Sequence, residues 1–423
     1  MLTHEENVKI TRSGPATPLG DLMRRYWIPA CMSKEVPEPD GEPVQVKLLG
    51  ESLLAFRETT GKVALVDEFC PHRRASLWLG RNEECGIRCV YHGWKFDIEG
   101  NCVDMPNESE KTQFKDKVQL KAYPTQEMGG IVWAYLGPKD KMPPLPKFEW
   151  TQVPEAHRYV SKSRQECNWL QAMEGGLDTS HSSFLHRVID ENSKHPGTKG
   201  YRSTATAPDL EVEVTDYGYR YASIRHISKE ENFVRTYHYV LPFHQLRAAQ
   251  IKQTGRPSQP IIRGHMWVPM DDENCMIYNW MYSFDGPLKN AKDMEKSSGR
   301  DAEENMDNYH NIRNKSNKWM IDRQVQKTET YTGIEGINTQ DMAVQESMGP
   351  IVDRSLEHLG ASDKAIGQMR RLLLRAIDTV QNGGDPLGIT PSYYCIRAIE
   401  DVLPADEDWH AHLMNRMYVK KSN

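Results

Sequence analysis

The 423-residue sequence has little cysteine and no surplus of positive charge. Its 53 basic and 59 acidic side chains are evenly mixed and give a formal net charge of −6, which excludes the basic surface that nucleic acids and anionic membranes require. The first residues, MLTHEENVKITRSG, lack the apolar core of a secretory signal, and no apolar run is long enough to span a membrane. We therefore expect a cytoplasmic protein with neither a nucleic-acid nor a membrane partner.

The eight cysteines are too few for a secreted domain held together by disulfides. Four of the eight fall between positions 70 and 102. In a reducing compartment, such clustering favours a metal or redox site over cross-links.

Two regions differ in their patterns. The first 140 residues alternate short β-rich runs, such as PVQVKLLG and SLLAFRETTG, with turns, which predicts a small antiparallel β domain. Four prolines in GPKDKMPPLPKFEW (137–150) predict a connection, and strands such as FVRTYHYVLPF then mix with helical patterns such as ASDKAIGQMRRLLLRAIDTVQ. We expect an α+β protein with one domain at 1–150 and a second at 151–423.

Two of the four clustered cysteines, Cys70 and Cys89, belong to short motifs, CPHRR (70–74) and CVYHGWKFD (89–97), whereas Cys85 and Cys102 lie outside them. Two cysteines and two histidines fit a tetrahedral zinc ion, and they equally fit a [2Fe–2S] cluster with both histidines on one iron. The alternating order lets each loop give one ligand to each iron, whereas zinc fingers usually place their two cysteines together. The order favours the cluster, but the number of ligands leaves both open.

A second unusual segment is NWLQAMEGGLDTSHSSFLH (168–186). On a helix over 168–181, polar side chains recur at spacings of three, four and three and share one face. Two like charges lie four residues apart on that face, and two adjacent glycines cost up to roughly 1 kcal/mol each in a helix interior. Residues that are unfavourable for the local secondary structure, as here, often occur at functional sites. The residues concerned are Gln171, Glu174, Gly175, Gly176, Asp178 and His181.

His181 and His186 are five residues apart, so they can share one ion only if the helix distorts or ends between them, for which SSF is a credible place. Two histidines and one carboxylate are the ligands of non-haem Fe(II) in oxygenases. The chemistry permits four distant carboxylates as the third ligand, and spacing does not choose among them. They are Asp322, Asp341, Glu346 and Asp353.

CPHR followed by CVYHGWKFD resembles the Rieske motif of ring-hydroxylating oxygenases, and NWLQAMEGGLDTSHSSFLH is similar to their catalytic motif. The segments RRYWIPA, GGIVWAYLGP and QDMAVQESMGPIVDRSLEHLGASD extend the resemblance over nearly the whole chain. The most similar group is the phthalate dioxygenase-like oxygenase (α) subunits. The resemblance implies an all-β Rieske domain, then a catalytic domain whose antiparallel sheet is covered by helices in the helix-grip arrangement.

The resemblance also implies a Rieske [2Fe–2S] cluster. Cys70 and Cys89 would bind one iron, and His72 and His92 would bind the other.

In the catalytic domain, the resemblance implies a mononuclear non-haem Fe(II) ion. His181 and His186 would be iron ligands, and the family pattern places the third ligand at Asp341. Asp178 would bridge the two metal sites, with Asn168 as a nearby polar residue of the catalytic machinery.

The implied activity is that of a terminal oxygenase component, with O2 as co-substrate and electrons from a separate NAD(P)H-dependent flavin and [2Fe–2S] reductase. The sequence itself has no glycine-rich dinucleotide fingerprint after a strand. The implied substrate is an aromatic carboxylate, which undergoes ring dihydroxylation (phthalate or benzoate type) or O-demethylation (vanillate or dehydrodivanillate type). An anion in a mostly apolar pocket needs a fixed cation, for which the candidates are Arg202, Arg235 and Arg247.

The family resemblance further implies a homotrimer, or a hexamer of two stacked trimers, in which the working pair of metal centres spans two subunits. We expect His72 or His92 to donate its free ring N–H to Asp178 of a neighbouring chain. Gly175 and Gly176 are expected to allow close approach at that contact. The alternative is a non-catalytic [2Fe–2S] electron carrier or zinc-binding protein in which 168–186 is only a polar helix.

Overall fold

The computed structural model describes residues 2–190, 192–251, 257–300, 302 and 309–419. The chain folds into two compact units, one formed by Ser13–Leu145 and a larger one formed by Met1–Arg12 together with Pro146–Asn423. Helix α1 (His4–Thr11) thus packs with the larger unit, which the sequence patterns did not indicate. No helix in the described ranges has the length and apolarity needed to cross a membrane.

The smaller unit contains helix α2 (Pro18–Met23) and three antiparallel sheets. Its strands are β1 (Trp27–Met32), β2 (Val44–Leu48), β3 (Glu51–Arg57), β4 (Val63–Asp67), β5 (Arg81–Glu83), β6 (Gly86–Arg88), β7 (Lys95–Asp97), β8 (Cys102–Asp104), β9 (Ala122–Tyr123), β10 (Thr125–Met128) and β11 (Ile131–Tyr135). The strand orders are β1-β11-β10, β2-β3-β4-β9 and β5-β6-β7-β8.

One apolar cluster joins the second and third of these sheets. Alternate side chains of β3 and β4 point into it and meet side chains from β6 and β7, as expected for strands with one buried face. Cys70 and Cys89 are buried in the same cluster. The loops that carry the two Cys/His motifs are therefore anchored on a packed β core.

The larger unit is organised around an eight-stranded antiparallel sheet. Its strands are β12 (Arg158–Gln165), β13 (Asp209–Val214), β14 (Gly218–His226), β15 (Glu231–Val240), β16 (His244–Ile251), β17 (Pro257–Pro269), β18 (Cys275–Ser283) and β19 (Glu400–Pro404). The order is β12-β18-β17-β16-β15-β14-β13, and β19 pairs with β15.

Helices cover this sheet. Their bounds are α3 (Glu149–Gln152), α4 (Trp169–Leu177), α5 (Tyr201–Thr204), α6 (Ala291–Ser297), α7 (Arg323–Thr328), α8 (Ile337–Ser347), α9 (Lys364–Gln381) and α10 (Trp409–Leu413). Helix α4 contacts both β17 and α8. An all-β unit followed by an antiparallel sheet with helices confirms the predicted α+β fold.

Helix α4 is shorter than the sequence predicts. It ends at Leu177, Asp178 is extended (φ −65°, ψ 135°), and a 3-10 turn follows at His181–Ser183. The sheet ends the helix, because Tyr221 donates a hydrogen bond to the Leu177 carbonyl (3.1 Å) and Gln245 donates one to the Gly176 carbonyl (2.5 Å). The polar face predicted for a helix over 168–181 therefore stops before His181.

Candidate functional site

Cys70 and Cys89 begin two loops of the same design. The Cys70 amide donates to the Ala75 carbonyl (2.9 Å), and the Cys89 amide donates to the Trp94 carbonyl (2.8 Å). In each loop, the residue four positions after the cysteine has a positive φ, namely +59° at Arg74 and +80° at Gly93. The two loops bring the rings of His72 and His92 to a centroid distance of 4.4 Å.

These four side chains suit a two-iron cluster. The Nδ1 atoms of His72 and His92 are both buried without a hydrogen-bond partner in the structure, and both thiols are buried. Burial raises the pKa of Cys70 to about 12, so a bound cation is needed to hold its thiolate. Ligands of one tetrahedral zinc ion would lie roughly 3.3–3.8 Å apart. Among the described residues, three ligand atoms come within 4.8 Å of one another only in the larger unit, not here.

The three ligand atoms that come together in the larger unit belong to His181, His186 and Asp341, which form the ligand trio. Asp341 Oδ1 lies 3.5 Å from His181 Nε2 and 3.2 Å from His186 Nε2. Two ligands at about 2.1 Å from a common ion, in tetrahedral or octahedral geometry, are roughly 3.0–3.4 Å apart. The three side chains therefore have the spacing of a single-ion site, although Asp341 is on α8 and the histidines follow α4.

The other three candidate carboxylates lie elsewhere. Asp322 caps the N-terminus of α7, and Asp353 accepts hydrogen bonds from the amide and the hydroxyl of Ser355. Glu346 accepts from the Trp319 indole (3.0 Å). Of the four carboxylates, the structure brings only Asp341 to the two histidines.

The loop that carries His181 is fixed by Arg225, a buried residue of β14. Its guanidinium donates to the Thr179 carbonyl (2.6 Å) and to Ser183 Oγ (3.0 Å). On the opposite side, Gln340 lies 2.8 Å from His186 Nδ1. The sequence carries no local signal for either contact, because each partner is distant along the chain.

Asp178 is next to the trio. Its Oδ2 lies 3.3 Å from His181 Nδ1, and its Oδ1 accepts from the Ser180 amide (2.7 Å) and hydroxyl (2.8 Å). Burial alone would raise the pKa of Asp178, but His181 and Ser180 overcome that effect and lower it to about 2. Asp178 is therefore ionised beside the His181 ring, although His181 Nδ1 makes no hydrogen bond among the described residues.

Asn168 does not line the cavity at the trio. It is fully buried, and its Oδ1 accepts from the Leu170 amide (3.1 Å) as the N-cap of α4. Its Nδ2 donates to the carbonyls of Thr11 (2.9 Å) and Asp272 (2.7 Å). The structure thus assigns Asn168 to the anchoring of α4, whereas the family resemblance placed it in the catalytic machinery.

Glu174 points away from the trio. It accepts hydrogen bonds from Arg354 (2.8 Å) and Arg370 (2.6 Å) in a buried ion network. A Cβ on Gly175 would lie 2.0 Å from Gln345 Nε2, and a Cβ on Gly176 would lie 2.2 Å from the Trp267 ring. The contact with the rigid Trp267 ring gives Gly176 a reason within the chain, whereas at Gly175 the flexible Gln345 side chain can move aside.

The trio opens on a cavity of about 280 Å³ in the larger unit. All three predicted substrate-binding arginines line it, and so does Arg263, which the sequence analysis missed. Apolar side chains also contribute to the wall: Ala172, Ala249, Trp267, Ile277, Ile337 and Met342. The four arginines are Arg202, Arg235, Arg247 and Arg263.

These arginines differ in how their charge is balanced. Arg235 lies 3.1 Å from the buried Glu400 and donates to the Ala248 carbonyl (2.9 Å). In the described part of the chain, Arg202 and Arg247 have no hydrogen-bond or ion-pair partner. Burial and the nearby Arg235 lower the pKa of Arg202 to about 10. Arg202 and Arg247 therefore lie in the cavity without an ion pair, while the carboxylates of Asp178 and Asp341 line the same cavity.

Arg247 and Arg263 are directly opposite each other on β16 and β17. Like charges in this position destabilise a sheet. Within the described ranges, the only polar contact of Arg263 is with the sulfur of Met294, at 3.6 Å, and its Nε is buried without a partner. Burial, with Arg300 and Arg235 nearby, lowers the pKa of Arg247 to about 9.

Two histidines with one carboxylate are the ligand set of non-haem Fe(II) oxygenases, and two Cys/His loops are that of a Rieske cluster. The fold and the two sites therefore define a Rieske-type oxygenase. Residues 26–124 match the Rieske [2Fe-2S] domain family, and residues 134–423 match the family described as LigXa C-terminal domain like. The chain belongs to the Rieske non-haem iron oxygenases, in the phthalate dioxygenase-like group of oxygenase subunits. The resemblance stated from the motifs is confirmed, and the family uses a [2Fe–2S] cluster, non-haem iron and O2.

Several curated relatives span nearly the whole chain. The phthalate 4,5-dioxygenase oxygenase subunit of Pseudomonas putida is 37% identical over 97% of this chain and 94% of its own length. The 3-chlorobenzoate-3,4-dioxygenase oxygenase subunit of Comamonas testosteroni is 39% identical over 99% of both chains. Dicamba monooxygenase bound to dicamba has the same fold, with a TM-score of 0.61 at 17% identity over 85% of this chain and 98% of that one.

Proposed function

We propose that this chain is a terminal oxygenase component that uses O2 and electrons from a separate NAD(P)H-dependent flavin and [2Fe–2S] reductase to hydroxylate an aromatic carboxylate. The observation that carries the proposal is the uncompensated pair Arg247 and Arg263 in the same cavity as the ligand trio. Guanidinium groups bind carboxylates through paired N–H donors. Cations without acidic partners, next to a site for iron, indicate that the anion is supplied by the substrate.

The roles of the metal-binding residues follow from their geometry. His181 and His186 would hold iron through Nε2 together with Asp341, while Cys70, Cys89, His72 and His92 would hold the cluster. When bound, the cluster supplies single electrons and the iron supplies the centre at which O2 is activated. Asp178 lies on the Nδ1 side of the His181 ring, at 3.3 Å, and Nε2 on the other side faces Asp341; we infer that Asp178 helps to orient this ring.

The number of free cations favours an acid with more than one anionic group. Arg235 is paired with Glu400, but Arg202, Arg247 and Arg263 form no ion pair among the described residues. A monocarboxylate would neutralise one of these three charges, whereas an aromatic dicarboxylate would neutralise two. The apolar wall that includes Trp267 suits the ring between the charged groups.

A single-turnover experiment tests this proposal without the reductase. Protein loaded with cluster and iron is reduced chemically, the reductant is removed, and O2 is added with one aromatic acid at a time. We expect more product from a dicarboxylate than from the matching monocarboxylate. Diol product identifies ring dihydroxylation, whereas formaldehyde from a methoxylated acid identifies O-demethylation. Failure to oxidise any aromatic acid by a protein with both metal centres occupied would contradict the proposal.

The proposed assembly is a homotrimer, or a hexamer of two stacked trimers, in which the cluster of one subunit serves the iron of the next. Asp178 also lines a second cavity of about 200 Å³, whose wall is largely apolar. Exposed apolar residues lie at this cavity and on the loops near the cluster site, and such patches mark interaction surfaces. They are Val344, Met348 and Leu359 at the cavity, and Trp78, Leu79, Val90 and Tyr91 near the cluster site.

Mixed oligomers test this arrangement. Co-expression of an Asp341→Ala chain, which lacks an iron ligand, with a His92→Ala chain, which lacks a cluster ligand, should restore turnover that neither chain has alone. Restoration requires electron transfer between subunits, because no chain in the mixture has both sites intact. Sedimentation gives the number of subunits. A monomer, or inactive mixed oligomers, would contradict the assembly.

A further inference from the structure

We propose that Gln340 is a positioning residue that selects the tautomer of His186 and so presents its Nε2 lone pair to iron. This inference rests on the proposed iron site. Gln340 is the residue directly before Asp341 on α8, and it is buried. One turn of helix thus carries both a candidate ligand and a side chain that touches another candidate ligand.

The hydrogen bonds around Gln340 fix the direction of its amide. Its Nε2 lies 2.7 Å from the backbone carbonyl of Ile334, and a carbonyl oxygen only accepts. The amide nitrogen must therefore face Ile334, which turns the amide oxygen towards His186 Nδ1 at 2.8 Å. Because this oxygen also only accepts, His186 Nδ1 carries the proton.

With Nδ1 protonated, the neutral His186 ring keeps its lone pair on Nε2. This nitrogen faces Asp341 Oδ1 at 3.2 Å. Two acceptors that face each other at this distance are favourable only with a cation or a proton between them. Gln340 therefore prepares His186 for metal binding before the ion arrives.

The Nδ1 atoms of the two histidines have different surroundings. His181 Nδ1 lies 3.3 Å from the ionised Asp178 but makes no hydrogen bond among the described residues, whereas His186 Nδ1 contacts the neutral amide of Gln340 at 2.8 Å. A hydrogen-bond acceptor on the far nitrogen of a metal-ligating histidine fixes the ring and raises its basicity. Gln340 therefore orients the His186 ring without a third carboxylate beside Asp178 and Asp341.

The test is the affinity for Fe(II), measured by competition with a chelator. Gln340→Leu removes the acceptor and should weaken binding by about 10–100-fold. Gln340→Glu keeps an acceptor, now charged, and should bind at least as tightly as the wild type, although it loses the bond to Ile334. The matched control is Gln345→Leu, since Gln345 is on the same helix and lines the same cavity, but its Oε1 accepts a buried hydrogen bond of 2.7 Å from Gln165 rather than from either histidine.

The control should lose stability in urea as Gln340→Leu does, but should keep wild-type iron affinity. Unchanged affinity in Gln340→Leu would overturn the inference, as would equal weakening in Gln345→Leu. If Gln340→Leu does not fold, weaker binding by Gln340→Glu still overturns it. A wild-type protein that binds no iron beyond its cluster would instead refute the proposed function, so the two failures are distinct.

Discussion

Replacing Arg247 with methionine should weaken substrate binding without destabilising the protein. Arg247 forms no ion pair in the described structure, and its pKa is lowered from 12.5 to about 9, first by burial and then by nearby arginines, against an opposing effect of Asp341. A decrease of this size corresponds to about 5 kcal/mol against the charged form. Part of this unfavourable free energy is relieved when an anion binds beside the guanidinium, and all of it disappears when the guanidinium is removed.

The two effects of Arg247→Met therefore have opposite consequences. Replacement of a buried charge by an apolar side chain is neutral or stabilising by about 1–4 kcal/mol, so the free energy of unfolding should stay the same or rise. Loss of one partner from a buried charged contact costs about 2–5 kcal/mol in binding, which corresponds to at least a 30-fold rise in the substrate Kd. Urea unfolding and calorimetric titration with the aromatic acid measure the two quantities.

Arg235→Met is the matched control, since Arg235 lines the same cavity but is paired with Glu400. Its loss leaves a buried carboxylate without its cation and should lower the free energy of unfolding by about 3–5 kcal/mol. If Arg247→Met destabilises the protein as much as Arg235→Met does, or if substrate binding is unchanged, then Arg247 is a structural residue and the reasoning fails. Iron content should be equal in both variants.

Three further variants test neighbouring parts of the site. Asp178→Asn should keep the cluster spectrum and the iron content but lower turnover by about 10–100-fold, so full activity would contradict its role. Glu174→Gln should lower the free energy of unfolding by about 3–5 kcal/mol at neutral pH, because the buried Arg354 loses its carboxylate partner and Arg370 keeps only Glu357. Although burial opposes the effect, these arginines lower the pKa of Glu174 below its ordinary 4.5. Glu174 therefore stabilises the fold fully above pH 4.5 and progressively less as the pH falls. In the variant, the free energy of unfolding should depend less on pH in this acid range. Gly176→Ala should destabilise by about 1–3 kcal/mol through its clash with Trp267, as measured in urea.

The sequence predicts well those features that are local in the chain. The two Cys/His motifs lie on short loops between strands, and alternation in strands such as β3 and β15 predicts an all-β unit and a sheet. His181 and His186 are also close in sequence, so their pairing was predictable. Asp341 was not, because four distant carboxylates were chemically equivalent, and only the family pattern favoured the one that the structure brings to the histidines.

The end of helix α4 shows why other features are not predictable. Nothing in the residues after Leu177 signals a stop as strongly as the hydrogen bonds that its last carbonyls accept. These bonds come from Tyr221 and Gln245, on strands that follow the helix by more than forty residues. Sequence periodicity reflects only neighbours at helical spacing, so it predicted a helix that continues to His181.

The sequence also does not show which arginines of the cavity are paired with an acid, although this difference bears on substrate specificity. Arg235, Arg247 and Arg263 occupy three successive strands and are chemically identical in the sequence. They differ in their ion pairs: Glu400 on β19 pairs with Arg235, whereas none of the described carboxylates forms an ion pair with Arg247 or Arg263. A cross-strand pair of like charges destabilises a sheet, and an anion bound beside the pair would relieve this repulsion. The absence of a matching acid, rather than the presence of arginine, is therefore the feature that points to an anionic substrate.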